Sequence, residues 1–455
     1  MTRHVPALVV GGGISGLVCT YALRKAGIDA QLVEASARFG GVIHSVSRDS
    51  FLIELGPQSF SSTAALRELC RELEISNQLL EAPPRAPRYV LVDGTLQSVP
   101  MDPSAFLLGE LVNSATKWAL LRDIFGKTVP PDADESVAAF VRRKFSDQLL
   151  DRLVGPFVSG VYAGDPERLS VRSAFPQLYE AEKTSGSIVR GMLQLAKSKK
   201  RPRERPILQT FREGNETLVR ALADKLGPAV RTRVSVIEIV QQDHRTFGVT
   251  LQAIGMEEYV TTKTLILATP TDVAGQMLSK LDSEFEAKLA PIEYASVAVV
   301  SLGYHKKDIK HSVGGFGFLV PRSAGLRVLG SVWNSSLFPG RAPKDHALLT
   351  SFVGGTTDPA AAKLKPEELA SIVHREISPI LSIQSDPVFS NVTIWPRALP
   401  QYNLGHGGRL AAVAKLLQRY PGIWLTGNYL RGPAIGSCVE QALAVANEVR
   451  ALLGC

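Results

Sequence analysis

The chain has 455 residues, 45% hydrophobic and 21% charged, which excludes fibrous and disordered classes and, at this length, implies two or three domains. Much of its net charge of +8 gathers in KSKKRPRERP (197–206). That run reads as a solvated linker or a contact for anionic surfaces. It carries no interleaved aromatic residue to stack on bases, so no nucleic-acid partner is expected. Cys19, Cys70, Cys438 and Cys455 are scattered, with no CxxC and no ligand-like spacing, so no metal site is expected. Cys70 sits with Leu66, Leu69 and Leu73 on the apolar face of a helix and reads as core. The start, MTRHVPALVVGGG, lacks the zones of a signal peptide, and no run of roughly 18 apolar residues lacks a charge. No transmembrane helix is therefore expected, and the predicted location is cytoplasmic or peripheral on the cytoplasmic membrane.

In chain order, VPALVV (5–10) reads as a strand that enters G-x-G-x-x-G at Gly11, Gly13 and Gly16. A helix follows, opening near Ile14 and Ser15, and a second strand, AQLVEA, ends at Glu34 and Ala35. The first glycine permits a tight turn, the second lets backbone approach a pyrophosphate, and the third lets the helix pack closely. The helix N-terminus faces the phosphates, and Glu34, 18 residues after Gly16, is spaced to accept ribose hydroxyls. The next residues, VEASARFGG, place Arg38, Gly40 and Gly41 after the acid. This resembles the E-x-x-x-R-x-G-G extension of FAD-dependent oxidases, where an arginine fork and glycine N–H groups meet the same phosphates again.

FLIELGPQSF (51–60) resembles the segment that runs beside the isoalloxazine ring in that superfamily, which implies Gly56, Pro57 and Ser59 as cofactor contacts. Residues 61–80 read as a helix, and from about 90 to 200 the pattern is mostly helical. There Val141, Phe145, Leu149 and Leu153 recur at the spacing of one helix face. RTRVSVIEI (231–239) reads as one strand, with Val236 where the family meets adenine through its backbone. YASVAVVSLGY, GFGFLVP, LRVLGSVWNSS and ALLTSFVGG supply the strands of a mixed sheet. LTGNYLRGPAIGSCVEQALAVANEVRALL (425–453) looks like the C-terminal flavin element: strand, loop, then a helix starting near Ser437 whose dipole faces the reduced flavin. The resemblance implies Trp395, Gly427, Ala434, Ile435 and Gly436 as further cofactor contacts.

Five stretches identify the family. GPFVSGVYAGDPERLSVRSAFPQLYEAEKTSGSIVRG (155–191), PRYVLVDGTLQSVP, LGSVWNSSLFPGRAP, WPRALPQYNLGH and GNYLRGPAIGSCVEQA resemble, in order, the FAD-dependent protoporphyrinogen oxidases and the closely similar coproporphyrinogen III oxidases. The implied fold is α/β: a Rossmann-like, p-hydroxybenzoate-hydroxylase-like FAD domain (1–85, 206–290, 401–455), a helical membrane- or substrate-associating insert (86–205) and a substrate-binding sheet (291–400). The implied chemistry is hydride transfer from a porphyrinogen methylene bridge to FAD and reoxidation by O2, repeated to give three H2O2. Electron-rich pyrroles stabilise the cation at the bridge, so no strong base is required at the hydride step.

By the same resemblance Arg88 pairs with a substrate propionate. Trp333, Phe316 and Phe318 are wall candidates, and Gly160 and Gly164 are backbone lining the macrocycle. Gln58 stands where relatives carry Asn or Arg over the flavin and is the candidate catalytic side chain. Protoporphyrinogen IX is the expected substrate and coproporphyrinogen III the alternative. A flavin amine oxidase and a non-catalytic FAD-bound membrane scaffold are the readings from other classes. The implied partners, besides the porphyrinogen and O2, are a membrane surface, a second copy of the chain and the chelatase that follows in the pathway.

Overall fold

The computed structural model describes residues 3–100, 109, 111–198 and 207–454. The basic run at 199–206 lies outside them. Strand β1 (Arg3–Val10), helix α1 (Ile14–Lys25) and strand β2 (Ala30–Glu34) form the opening unit. β1 and β2 pair in parallel, and β1 pairs on its other side with Met256–Leu267, also in parallel. The short strands Val230–Thr232 and Ile423–Leu425 extend this parallel sheet at β2 and at Met256–Leu267. Buried strands of this kind are near-continuous apolar runs, which is why VPALVV and TLILA carry no polar alternation. Helix α1 and the C-terminal helix Ile435–Leu453 cover one face through a core containing Leu17, Val18, Cys70, Val439 and Ala442. All three described cysteines are buried and free.

The second large sheet is antiparallel apart from one parallel pair. It stacks Phe389–Pro400, Tyr294–His305, His346–Gly354, Val328–Val332, Gly317–Leu319 and then Arg88–Val92, with Thr95–Ser98 at its edge. The last two strands correct the expected domain boundary: 88–98 belong to this sheet, not to the helical insert. Tyr89 and Leu91 alternate onto its core face, and the strand's N–H groups find ladder partners in Gly317–Leu319. Helix Pro366–Leu381 seals that core face with Leu369, Val373, Ile377 and Leu381.

The helical insert is correspondingly shorter, and its expected long helix is broken. One helix ends at Lys144, and Phe145 leaves helical geometry at φ −132°. Ser146 then caps a new helix, its hydroxyl accepting from the Leu149 amide at 3.1 Å. Val141 and Leu149 still share one buried cluster, with Phe145 and Leu153 packed against it. A second correction falls at 231–239. The run divides at Arg233 (φ +57°) into Val230–Thr232, beside β2, and Ser235–Gln241, at the far edge of the sheet. The break occurs because the amides of Arg233 and Val234 donate to the carbonyls of Ser36 and Glu34 at 2.9 Å each. No helix among the described residues is long and apolar enough to cross a membrane.

Candidate active site

The G-x-G-x-x-G turn is built by close approach. A Cβ on Gly16 would overlap the carbonyl oxygen of Gly11, whereas a Cβ on Gly13 would meet no protein atom within 4 Å. Gly13 therefore opens onto space above the N-terminus of α1. That helix has no side-chain cap and no acid in its first turn, so its first amides face the same space without an internal acceptor. The helix Ile435–Leu453 begins at Ala434 in the same uncapped way, two residues earlier than expected. The two helices share one core, and Ser15 lies close enough to Cys438 to oppose the rise that burial gives its thiol pKa. Glu34 accepts from the Gly12 amide at 2.6 Å and from the Ser36 amide at 2.8 Å, which fixes its carboxylate beside the turn. Half-buried Val236 follows the stretch pinned to Glu34 and Ser36, while Ala35 is exposed.

Two buried hydroxyls without partners among the described residues, Thr269 Oγ1 and Thr426 Oγ1, lie just past the C-terminal ends of the parallel strands Met256–Leu267 and Ile423–Leu425. That is where open α/β sheets hold ligands. Sequence reading missed both, although a hydroxyl directly after a buried parallel strand was visible. The cradle, the uncapped helix starts and these orphaned groups fit a dinucleotide flavin.

Arg38 is tied into the second glycine turn by its own donors. Its guanidinium donates to the carbonyls of Phe39 (3.0 Å), Ile43 (3.1 Å) and Gly41. Gly40 and Gly41 turn at φ +107° and +59°; the Gly40 carbonyl accepts from the Ile43 amide at 3.0 Å, and Arg38 takes up that of Gly41. It holds the second glycine turn against the first, where the Gly40 amide donates to Gly12 at 2.8 Å. Burial lowers its pKa, opposed by Glu216 and Glu34.

The 55–59 loop packs against that second turn. The Leu55 amide donates to His44 at 2.8 Å, and a Cβ on Gly56 would overlap the Val42 carbonyl. Trp395 reaches across from the antiparallel sheet to donate to Leu55 O at 2.6 Å, and Asn215 donates to Pro57 O at 2.7 Å. Ser59 is half-buried beside them. Gly436 abuts Ser61 and Thr63, so the loop borders the start of the C-terminal helix. Gly427, at φ +153°, opens the segment that leads there. Gln58 is buried, and its Nε2 donates to the carbonyls of Glu54 (3.0 Å) and Gly56 (2.9 Å). Its Oε1 accepts from Asn334 Nδ2 at 2.8 Å. Its amide is thus engaged within the protein.

The antiparallel sheet has two faces, and the expected wall residues divide between them. Trp333 and Phe318 are corrections: both are buried in the core under helix Pro366–Leu381. Trp333 packs among Tyr89 (5.4 Å between ring centroids), His311 (5.1 Å) and Phe318 (6.3 Å). Strand alternation decides this, since neighbouring residues must take opposite faces. The other face carries Val297, Leu329, Phe352 and Leu399, packed with Ala163. Exposed Arg88 alternates with Tyr89 and stacks over half-buried Phe316 at 5.4 Å, so these two expectations do come together.

The segment 155–164 runs over this second face. Helix Gly155–Tyr162 approaches so closely that a Cβ on Gly160 would lie 2.6 Å from Leu319 Cδ2, and one on Gly164 would lie 2.6 Å from Gln401 Oε1. A cleft of about 370 Å3 lies beside this face, lined by Ser159, Leu329 and Gly354 together with Arg322, Arg327 and Asp358. This is within the range of small-molecule sites. Leu319, Leu329 and Phe352 were missed from sequence because nothing local marks which strand face is open.

Comparison with known proteins agrees with this geometry. Residues 14–450 match the family described as flavin containing amine oxidoreductase. The chloroplastic protoporphyrinogen oxidase of Oryza sativa subsp. japonica is 35% identical over 97% of this chain and 87% of its own length. The coproporphyrinogen III oxidase of Bacillus subtilis (strain 168) is 29% identical over 98% and 97%. A solved chain from Exiguobacterium sp. 255-15, provisionally assigned as a protoporphyrinogen oxidase, superposes with TM-score 0.80 at 24% identity over 99% of both chains. Putrescine oxidase bound to putrescine shares the fold at TM-score 0.73 and 19% identity, over 99% of this chain and 100% of its own. The chain belongs to the flavin containing amine oxidoreductases and, within them, to the porphyrinogen oxidases, and it is an FAD-dependent oxidoreductase.

Proposed function

We propose that the protein oxidises protoporphyrinogen IX to protoporphyrin IX with O2 as acceptor. The observation that carries this reading is the second sheet face, where half-buried Leu319, Leu329 and Phe352 share a side with exposed Arg88. A porphyrinogen is a large apolar ring with acidic propionates on one edge, and that face matches both properties. Bound FAD supplies the two-electron acceptor that a methylene bridge requires, and O2 carries the electrons away as H2O2.

The chain's own residues do the rest. Arg88 anchors a propionate and sets the ring's orientation. The apolar strand face, closed by helix Gly155–Tyr162, keeps water from the bridge carbon. The loop 55–59, held by Trp395, Asn215 and Asn334, fixes the distance between ring and cofactor cradle.

The preference for two propionates over four rests on the charged groups that line the cleft. Arg327 is held bidentately by Asp358 at 2.7 and 2.8 Å, and Arg322 lies 3.6 Å from Asp165. Coproporphyrinogen III would bring two more carboxylates, and these cations already have acidic partners. The greater identity to the rice relative points the same way. Contact with a membrane surface, a homodimer and transfer of product to a chelatase belong to the same proposal.

The test is aerobic turnover of FAD-reconstituted protein with both porphyrinogens, following product fluorescence and H2O2. Faster turnover of protoporphyrinogen IX, lost on Arg88→Ala, supports the reading. Preference for coproporphyrinogen III reassigns the substrate, and no product from either overturns porphyrinogen oxidation.

A further inference from the structure

The amide of Gln58 has its orientation fixed by its surroundings. Nε2 donates to two carbonyls, those of Glu54 and Gly56, so the other end of the group must be the oxygen. That oxygen accepts from Asn334 Nδ2 at 2.8 Å, which fixes the Asn334 carboxamide in turn. Its remaining atom, Oδ1, is buried, in a residue 4% exposed, and finds no partner among the described residues. A buried acceptor left unpaired is destabilising, and a donor from a bound ligand would satisfy it.

Asn334 has a specific place between two halves of the site. It follows the strand Val328–Val332, and the preceding amide, that of Trp333, donates to Phe316 O at 3.0 Å. Phe316 carries the Arg88 guanidinium. On its other side Asn334 touches Gln58, in the loop that packs on the second glycine turn of the cofactor cradle. Asn334 thus links the strand end beside Phe316 to the loop 55–59.

We propose that Asn334 Oδ1 accepts a pyrrole N–H of the macrocycle, and that Gln58 is the positioning residue that fixes the direction of this oxygen. The inference rests on the porphyrinogen reading and deepens it. It adds a contact to the ring centre that all porphyrinogens share, distinct from the propionate contact that distinguishes them. It also gives Gln58 a role that does not require it to touch the substrate.

The experiment compares Asn334→Leu, Asn334→Ser and Gln58→Leu with the parent in steady-state turnover of both porphyrinogens, alongside FAD affinity from flavin fluorescence. The expected result for Asn334→Leu is a KM raised about ten-fold for both macrocycles by a similar factor, with FAD affinity unchanged. Asn334→Ser, which keeps a small acceptor, recovers part of the loss, and Gln58→Leu combined with Asn334→Leu adds nothing further. Unchanged KM in folded Asn334→Leu or Asn334→Ser overturns the contact. Weakened FAD binding with KM unchanged overturns it too, because the donor would then be the flavin. If the parent turns over neither porphyrinogen, the substrate reading falls first and takes this inference with it.

Discussion

Arg341 and Glu54 form an ion pair at 3.3 Å with each side chain only 2% exposed. The pair ties the start of the flavin-side loop to the connection between the sheet strands Val328–Val332 and His346–Gly354. Arg341 also donates to Thr210 Oγ1 at 2.6 Å and Phe211 O at 3.0 Å, while Glu54 accepts from Ser45 at 2.6 Å and from the Asn215 amide at 2.9 Å. Replacing one partner strands the other charge. Arg341→Met is expected to cost about 3–5 kcal/mol, read as a fall in the urea midpoint. Burial pushes the Glu54 carboxyl up, and Arg341 opposes this. A raised carboxyl stabilises the fold when protonated, and that contribution is lost as pH rises through its folded value. The deficit of Arg341→Met should therefore shrink in mild acid and grow in mild alkali. A deficit independent of pH would show that packing, not charge, dominates the site.

The two cradle glycines make opposite predictions. Gly13→Val places its side chain in open space at φ −69°, so the fold should survive while flavin content falls to near zero. Gly16→Ala must displace the Gly11 carbonyl, so it should lower the melting temperature of the apoprotein itself. Absorbance of the purified flavin and apoprotein melting distinguish them. Normal flavin loading of Gly13→Val would place the pyrophosphate elsewhere.

Phe352 and Trp333 lie on opposite faces of one sheet, and their substitutions should separate accordingly. Phe352→Ala is expected to lower kcat/KM for porphyrinogen by at least about ten-fold with a modest loss of stability. Trp333→Ala opens a core cavity and should destabilise by about 3–5 kcal/mol, with KM nearly unchanged in the folded fraction. The reverse pattern would restore Trp333 to the substrate wall.

His406 supplies a pH dependence. It is 2% exposed, lies 2.9 Å from Tyr429 O through Nε2 and stacks on Tyr402 at 4.5 Å, with Nδ1 unpartnered among the described residues. Nε2 must be the donor, so the neutral ring fits and the imidazolium would bury a second N–H unpaired. Burial lowers its pKa, opposed by the Tyr429 carbonyl, while Arg409 lowers it and Asp134 raises it. A histidine depressed in the fold contributes stability above its unfolded value of about 6.5, lost as pH falls toward the folded value. Melting temperature should therefore drop as pH falls below about 6.5, and His406→Gln should flatten that slope. An unchanged slope in the variant would assign the acid sensitivity to another group.

Much of the cofactor half was legible because its determinants are contiguous. G-x-G-x-x-G, the acid at Glu34 and the glycine pair after Arg38 each act through backbone geometry within a few residues. The C-terminal helix was legible as well, although its start, expected near Ser437, falls at Ile435. Even so, the exact work of Arg38 was not visible, since carbonyls left over by the turn compete with phosphate for its donors.

The antiparallel sheet was different. That its segments were strands could be read, but which face each side chain takes was decided by pairings such as Gly317 with Arg88 and Val332 with Gly317, made across long stretches of chain. A slip of one residue exchanges the faces, so Trp333 and Phe352 could not be sorted by composition. The run at 231–239 needed Ser36 and Glu34 to break it, and the orphaned oxygen of Asn334 needed Gln58, 276 positions away. Sequence alone determined where the backbone turns and where charge begins. The tertiary structure determined which groups remain without partners, because satisfaction of a buried donor or acceptor depends on everything packed around it.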